Sequence, residues 1–362
     1  MKRLLVLLLL FLIGALLPIG CTSLEPLGVQ GGENPQVLSV YNWSTYIDPE
    51  AIKDFEKKFG VEVEYDTYES NEDLLAKIRP GNPGYDIIVP TSDYVVIMAS
   101  EGLLEPLNHD NIPNLKNVDQ IFIDPPFDPG NQYSVPYQWG TMGLGYNIEK
   151  TGGELTSWKE IFEPRFAGRV SLMEDLRATL GTVLIYLGYD PNTTDESKIN
   201  EARNYLIKHQ EVVAAFAPDT GQNLLDQGEV DVAVEWSGDI FQVMEENPDI
   251  RYTIPKEGSI VWTDNLAIPK DAPNKELAEK FINFILEPEV GAIISNYVKY
   301  GSPNRAAIEQ GLIEAEDLEN PAIYPPPEVF SKLKYVDDIG DATELYDDAW
   351  TEVKVAMSNS FF

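Results

Sequence analysis

Between Val37 and Pro90 the chain alternates strand-like and helix-like segments, and this alternation limits the possible folds more than any other feature. Val37–Trp43 (VLSVYNW) is rich in β-formers and reads as a strand. Asp48-Pro49-Glu50 then opens a helix, with Asp48 as cap, Pro49 in the first turn and Glu50 favoured by the helix dipole. Ala51, Phe55 and Phe59 recur at helical spacing, and Gly60 supplies the stop. Val61–Tyr65 reads as a second strand. Ser70–Asp73 offers an S-x-x-D cap for a helix carrying Leu74, Leu75 and Ile78. Tyr85–Pro90 (YDIIVP) is an apolar run of the kind buried on both faces of a parallel sheet. Strand, helix, strand, helix, strand makes an open α/β lobe.

The rest of the chain extends the pattern. Trp139-Gly140-Thr141-Met142-Gly143 separates a strand at Tyr133–Tyr137 from another at Leu144–Asn147, and this small-residue break reads as a crossover to a second lobe. Beyond it the spacing predicts a helix at Ser157–Phe162, a strand at Gly168–Met173 and a helix at Ser197–His209. Val230, Val232 and Val234 alternate as in a strand, Trp262–Pro269 is a further strand, and Asn274 caps a helix bearing Leu277, Phe281, Phe284 and Ile285. The final fifty residues read as helical, with a loop at Pro325–Pro327. The resulting architecture is α/β: two lobes around a central ligand cleft, the first from 37–139 and 263–308, the second from 140–262 and 309–362.

Ahead of the first strand stands Met1-Lys2-Arg3, an apolar stretch from Leu4 to Leu17, and Pro18-Ile19-Gly20-Cys21, the layout of a secretory signal. The stretch is short for a membrane span. Cys21, the single cysteine, follows Gly20 in a pattern that resembles a bacterial lipobox, although Pro18 stands where an aliphatic residue is usual. A lone cysteine in an exported chain has no internal disulfide partner, so lipidation at Cys21 is the expected use. Residues 22–36 read as a flexible tether, reaching about 20 Å by coil statistics.

Charge and composition remove several function classes. The chain carries 60 acidic against 26 basic residues, a formal charge of −34. Such a surface repels nucleic acid and anionic lipid and concentrates cations, although acidity also serves plain solubility. His109 and His209 are the only histidines, in a polar turn and at a lysine-flanked helix end, and both read as solvated surface residues. A zinc site of the usual type is therefore not expected, nor any other metal or cofactor. The chain holds no GxGxxG motif, no P-loop and no long repeat.

Ligands in open α/β sheets lie beyond the carboxyl ends of the strands. Those ends here carry Trp43-Ser44-Thr45-Tyr46, Thr91-Ser92-Asp93-Tyr94, Glu174-Asp175, Trp236-Ser237-Gly238-Asp239 and Trp262-Thr263-Asp264. Aromatic faces attract ammonium groups and cover methylenes, while carboxylates neutralise a buried charge. The set therefore suits a small organic cation. Other uses stay open: Trp43, Trp236 and Trp262 could be core aromatics, and Asp175 and Asp239 could cap the helices that follow. Tyr300, in the turn Tyr300-Gly301-Ser302-Pro303-Asn304, fits either role. Asp264 interrupts an apolar strand, where a carboxylate is expensive, so function is favoured there. The rival reading is a secreted glycoside hydrolase using Asp239 and Asp264 as a carboxylate pair.

The segments VYNWSTYIDPE, YDIIVP, NLKNV, PFDPGNQYSVPYQWGTMGLGYN, LGYDPNTT, GEVDVAVEWSGD, WTDNLAIPK and KYGSPN together resemble the spermidine/putrescine-binding proteins of bacterial ABC transporters. The resemblance runs from about Val37 to the last helix. It implies a type II periplasmic-binding fold, a non-enzymatic monomer with neither catalytic residues nor cofactor, and a permease that receives the ligand. It implies a cleft lined by Trp43, Ser44, Tyr46, the Thr91, Ser92 and Asp93 position, Asp175, Trp236, Asp239, Trp262, Asp264 and Tyr300. Three positions depart from the family pattern. Ala178 stands where well-known members carry an amine-binding glutamate, Pro218 where a serine is usual, and Val336 where a glutamine is usual. Asp93, from the opposite wall, is the expected replacement for the missing carboxylate. The resemblance implies a polyamine and leaves spermidine, putrescine or a related cation open.

Overall fold

The computed structural model describes residues 36–218 and 220–358. The expected leader, Cys21 and nearly all of the tether lie outside these residues.

Nine strands form one sheet: β1 (Val37–Trp43), β2 (Glu62–Tyr68), β3 (Ile87–Ile88), β4 (Ser134–Asn147), β5 (Val170–Met173), β6 (Val213–Ala217), β7 (Val232–Trp236), β8 (Ile250–Thr253) and β9 (Val261–Ala267). Their order is β2-β1-β3-β9-β4-β7-β5-β6, with β8 also on β4. The first half is parallel from β2 through β1 to β3, after which β9 returns antiparallel against both β3 and β4. Between Thr141 and Met142, β4 changes partners, from β9 to β7 and then β8. This single strand carries the sheet from one half to the other.

The expected break at Trp139–Gly143 is therefore not a break. Residues 134–147 run as one strand, and the glycines are there for close packing. A Cβ at Gly140 would meet the Trp262 ring at 2.7 Å and the Tyr300 ring at 2.9 Å, and one at Gly143 the Thr253 carbonyl at 2.5 Å. Small residues in a strand signal close approach as often as termination.

Each half has helices on both faces. In the first, Leu38, Val40, Ile87 and Val89 pack with Phe55, Phe281 and Ile282. On the other face Tyr41, Ile88 and Ala267 meet Leu74, Ile78, Val95 and Met98. In the second half one face packs the helices Leu176–Tyr186, Glu196–Lys208 and Thr343–Ser358, and the other the helices Gly221–Asp226 and Ser237–Glu246. The first helix is as expected: Asp48 accepts from Glu50 N, and Gly60 closes it at φ 68°.

Three expectations need correction. Only Ile87–Ile88 of the Tyr85–Pro90 run joins the ladder, because Asp86 instead binds Ser39 N and Asn274 N. Asn274 precedes the helix Lys275–Ile285 but gives it no side-chain cap; its amide bonds Val37 O and Asp86. The last fifty residues are helical only in part, at Ala315–Glu319, Pro327–Phe330 and Thr343–Ser358, with a loop across 331–339. His109 is exposed as expected, whereas His209 is half-buried and stacks 4.2 Å from Tyr205.

Candidate functional site

All twelve site residues read from the sequence, Trp43, Ser44, Tyr46, Thr91, Ser92, Asp93, Asp175, Trp236, Asp239, Trp262, Asp264 and Tyr300, line one cleft of about 460 Å³. It lies where β1, β3, β5, β7 and β9 present their ends. Ala178, Pro218 and Val336 line it too.

The end of β1 turns sharply into this cleft. Thr45 takes φ 48°, a left-handed backbone rare for a β-branched residue. That turn brings Trp43, Ser44 and Tyr46 to one cavity. Trp43 is fixed by a 3.0 Å bond from its indole Nε1 to Val89 O and by the Tyr68 ring at 4.6 Å. Tyr46 sits edge-on to Tyr300 at 5.4 Å, Trp262 edge-on to Tyr300 at 5.0 Å, and Trp236 edge-on to Trp262 at 5.9 Å. Mutual edge-to-face contacts hold four rings in place.

The carboxylates differ in how they are satisfied. Asp175 caps the helix Leu176–Tyr186, accepting from Ala178 N at 2.8 Å, and Asp93 stands in the first turn of the helix Ser92–Ser100, accepting from Thr91 Oγ1 at 2.5 Å. Asp239 also opens a helix, Ser237–Glu246, but caps nothing. Its Oδ2 accepts from Tyr300 OH at 2.6 Å and its Oδ1 from Thr45 Oγ1 at 3.3 Å, joining the end of β7 to residues of the other half. Asp264, only 4 % exposed, has no hydrogen-bond partner at Oδ1. Among the described residues no lysine or arginine forms an ion pair with it.

Burial dominates the electrostatics. It pushes the Asp93 and Asp239 carboxyls each up to about 6, against the opposing pull of their hydroxyl donors. Burial drives Asp264 well above the carboxylate range. The nearby Tyr46 hydroxyl pulls it back and Asp93 raises it again, yet neither Tyr46 OH nor Asp264 Oδ1 completes a hydrogen bond. Asp175 is likewise raised by burial and lowered by Ala178 N and Arg177. The cleft thus gathers carboxylates whose charge the protein itself leaves poorly compensated.

Sequence reasoning missed several lining residues. Glu72, at the rim, is pushed up to about 7 by desolvation and then by Asp175, with a backbone N–H and the Tyr94 hydroxyl lowering it. It follows the Ser70 cap, and that cap was the only signal near it. Arg177 and Lys354 also line the cleft, but both are engaged. Arg177 bonds Asn192 and Asp337 O over the Tyr346 ring, and Lys354 pairs with Glu174 at 2.6 Å. Tyr335, on the late loop, shares a 3.3 Å hydroxyl–hydroxyl contact with Thr263 Oγ1.

A family model described as bacterial extracellular solute-binding protein matches residues 50–325. The spermidine/putrescine-binding periplasmic protein of Salmonella typhimurium is 36% identical over 341 residues, which cover 94% of this chain and 97% of the relative. The chain belongs to the bacterial extracellular solute-binding proteins. Solved structures agree with this solute-binding fold. One from Listeria monocytogenes superposes with a TM-score of 0.83 at 38% identity, covering 88% of this chain and 99% of that one. A lipoprotein of Treponema pallidum gives 0.79 at 31% identity, with coverage of 88% and 99%. The two sheet halves are accordingly the two lobes of the type II solute-binding fold.

Proposed function

We propose that this chain is the extracytoplasmic substrate-binding protein of an ABC importer and that it carries a polyamine to the permease. The observation that carries the reading is Asp264: a carboxylate 4 % exposed, unpartnered at Oδ1, beside Trp262 and Trp236. An ionised group so placed costs several kcal/mol unless a cation meets it. An ammonium group supplies the missing donor, while Trp236, Trp262 and Tyr46 cover the methylenes that follow. Asp93, Asp175 and Glu72 stand ready for a second ammonium on the other side of the cleft. The twelve lining residues act in this reading as the ligand shell, on lobes running 37–139 with 263–308 and 140–262 with 309–362. Salmonella typhimurium's spermidine/putrescine-binding relative supports the ligand class.

The protein acts without catalysis in this account. Against a glycoside hydrolase built on Asp239 and Asp264 stand the relatives, which are substrate-binding transport proteins. Lipidation at Cys21 would hold a monomer in the periplasm or on the outer face of the cytoplasmic membrane through the tether, a reading supported by the lipoprotein of Treponema pallidum. Changing Cys21→Ala should move the protein from the membrane to the soluble fraction. Calorimetry of the full chain against putrescine, spermidine, spermine, amino acids and glycosides tests the main reading. Binding of polyamines alone supports it, and binding of none overturns it.

A further inference from the structure

A second cavity of about 500 Å³ shares a wall with the cleft: Ser92, Asp93, Thr263, Tyr335 and Val336 line both. Its own lining is apolar on one side, with Val96, Phe122, Pro125, Pro126, Phe127 and Pro136. Its charged side chains are Asp93, Asp337 and Asp338, the last two exposed, and Arg177 beside them lowers Asp93 and Asp337 only in part against burial. Asp337 accepts from Asn192 Nδ2 at 3.0 Å, and Asp338 spends Oδ1 on Gly340 N at 2.9 Å. The loop that lines both carries Tyr335, whose hydroxyl lies 3.3 Å from Thr263 Oγ1, and its Lys334 carbonyl accepts from Val261 N of β9 at 3.0 Å. Asp93 belongs to both chambers.

Resting on the polyamine reading above, we propose that this chamber receives the outer aminoalkyl arm of a polyamine with three or more nitrogens. An apolar wall facing carboxylates, with no base in the lining, matches a short methylene chain that ends in an ammonium group. A sugar would leave the apolar wall uncovered, and an anion would meet three carboxylates. Continuity with the cleft at Asp93 places the inner nitrogen of such a ligand between the two chambers. The chain is therefore selective for triamines and tetraamines over diamines. Val336, which lines both cavities, gives the arm apolar contact where they meet.

Calorimetry of the full chain with putrescine, spermidine and spermine, on wild type, Val96→Phe and Asp338→Asn, tests this. Val96→Phe fills the chamber; Asp338→Asn keeps the acceptor for Gly340 N while removing a charge. Burying three more methylenes and one more charged contact should make the longer amines at least about tenfold tighter in wild type. Each variant should erase most of that preference and leave putrescine affinity within about twofold. If Val96→Phe does not fold, Asp338→Asn decides alone. Equal affinity for all three amines in wild type, or a preference kept in the variants, overturns the chamber assignment. Failure of every polyamine to bind would instead overturn the underlying reading.

Discussion

Asp239, in the first turn of the helix after β7, and Asp264, in the middle of β9, are both buried in the same cleft, yet they are satisfied in opposite ways. Asp239 has a hydroxyl on each oxygen, from Tyr300 and Thr45. Asp264 has a bare Oδ1. The first is a brace that ties the strand end of the second half to side chains of the first. The second is an anchor whose partner must come from outside the chain. Two buried acids of one type therefore separate into a structural and a ligand-directed role by their hydrogen bonds alone.

The largest expected effect follows from that contrast. Asp264→Asn keeps the shape and removes the charge, so polyamine affinity should fall by about ten- to a hundredfold, since a charge-assisted bond is worth about 1.5–3 kcal/mol. The unliganded fold should not lose stability. Asp239→Asn should cost less affinity, about threefold to tenfold, and should lower the melting temperature because it weakens the Tyr300 and Thr45 bonds. If the two substitutions cost equal affinity, the distinction between anchor and brace breaks.

Acidity sharpens the same comparison. Asp93 and Asp239, held near 6 when folded, lie above their ordinary unfolded values. A carboxyl raised in this way stabilises the fold at low pH and loses that contribution as pH rises through the folded value. The melting temperature of the unliganded protein, followed by calorimetric scans, should therefore drop between about pH 4 and about pH 6.5, and saturating spermidine should remove much of the drop. Trp236→Leu gives the smallest effect. It removes a cation–π face worth about 0.5–2 kcal/mol but keeps apolar cover, so affinity should fall by about threefold to fivefold.

Much of this was readable from the residues. The cap at Asp48, the stop at Gly60 and the apolar run around Ile87 placed the first lobe because their signals are local. Asp264 stood out as the one charged residue in a strand that begins with Val261 and Trp262 and ends with Leu266 and Ala267. Trp139–Gly143 misled, since a glycine required by the Trp262 and Tyr300 rings looks the same in sequence as one that ends a strand. Thr45 was passed over because its left-handed backbone and its bond to Asp239 depend on a residue almost two hundred positions away. Glu72 and Tyr335 were missed for a related reason: a rim helix and a late loop acquire their meaning only when packed against Asp175 and Thr263.

The central claim is that a cation replaces protons on crowded carboxylates, and proton release on binding measures it most directly. Alkyl ammonium groups titrate near about 10, like lysine, so the ligand itself exchanges no protons at neutral pH. Asp93 and Asp239 near 6 and Glu72 near 7 are partly protonated there, and a bound ammonium favours their ionised forms. Spermidine binding should be followed by calorimetry near about pH 6.5 in buffers of different ionisation enthalpy. The account predicts a net release of protons, from Asp93, Asp239 and Glu72 and from Asp264, whose burial holds it well above the carboxylate range, together with weaker binding as pH falls. Tight binding with no proton release at any pH would contradict it.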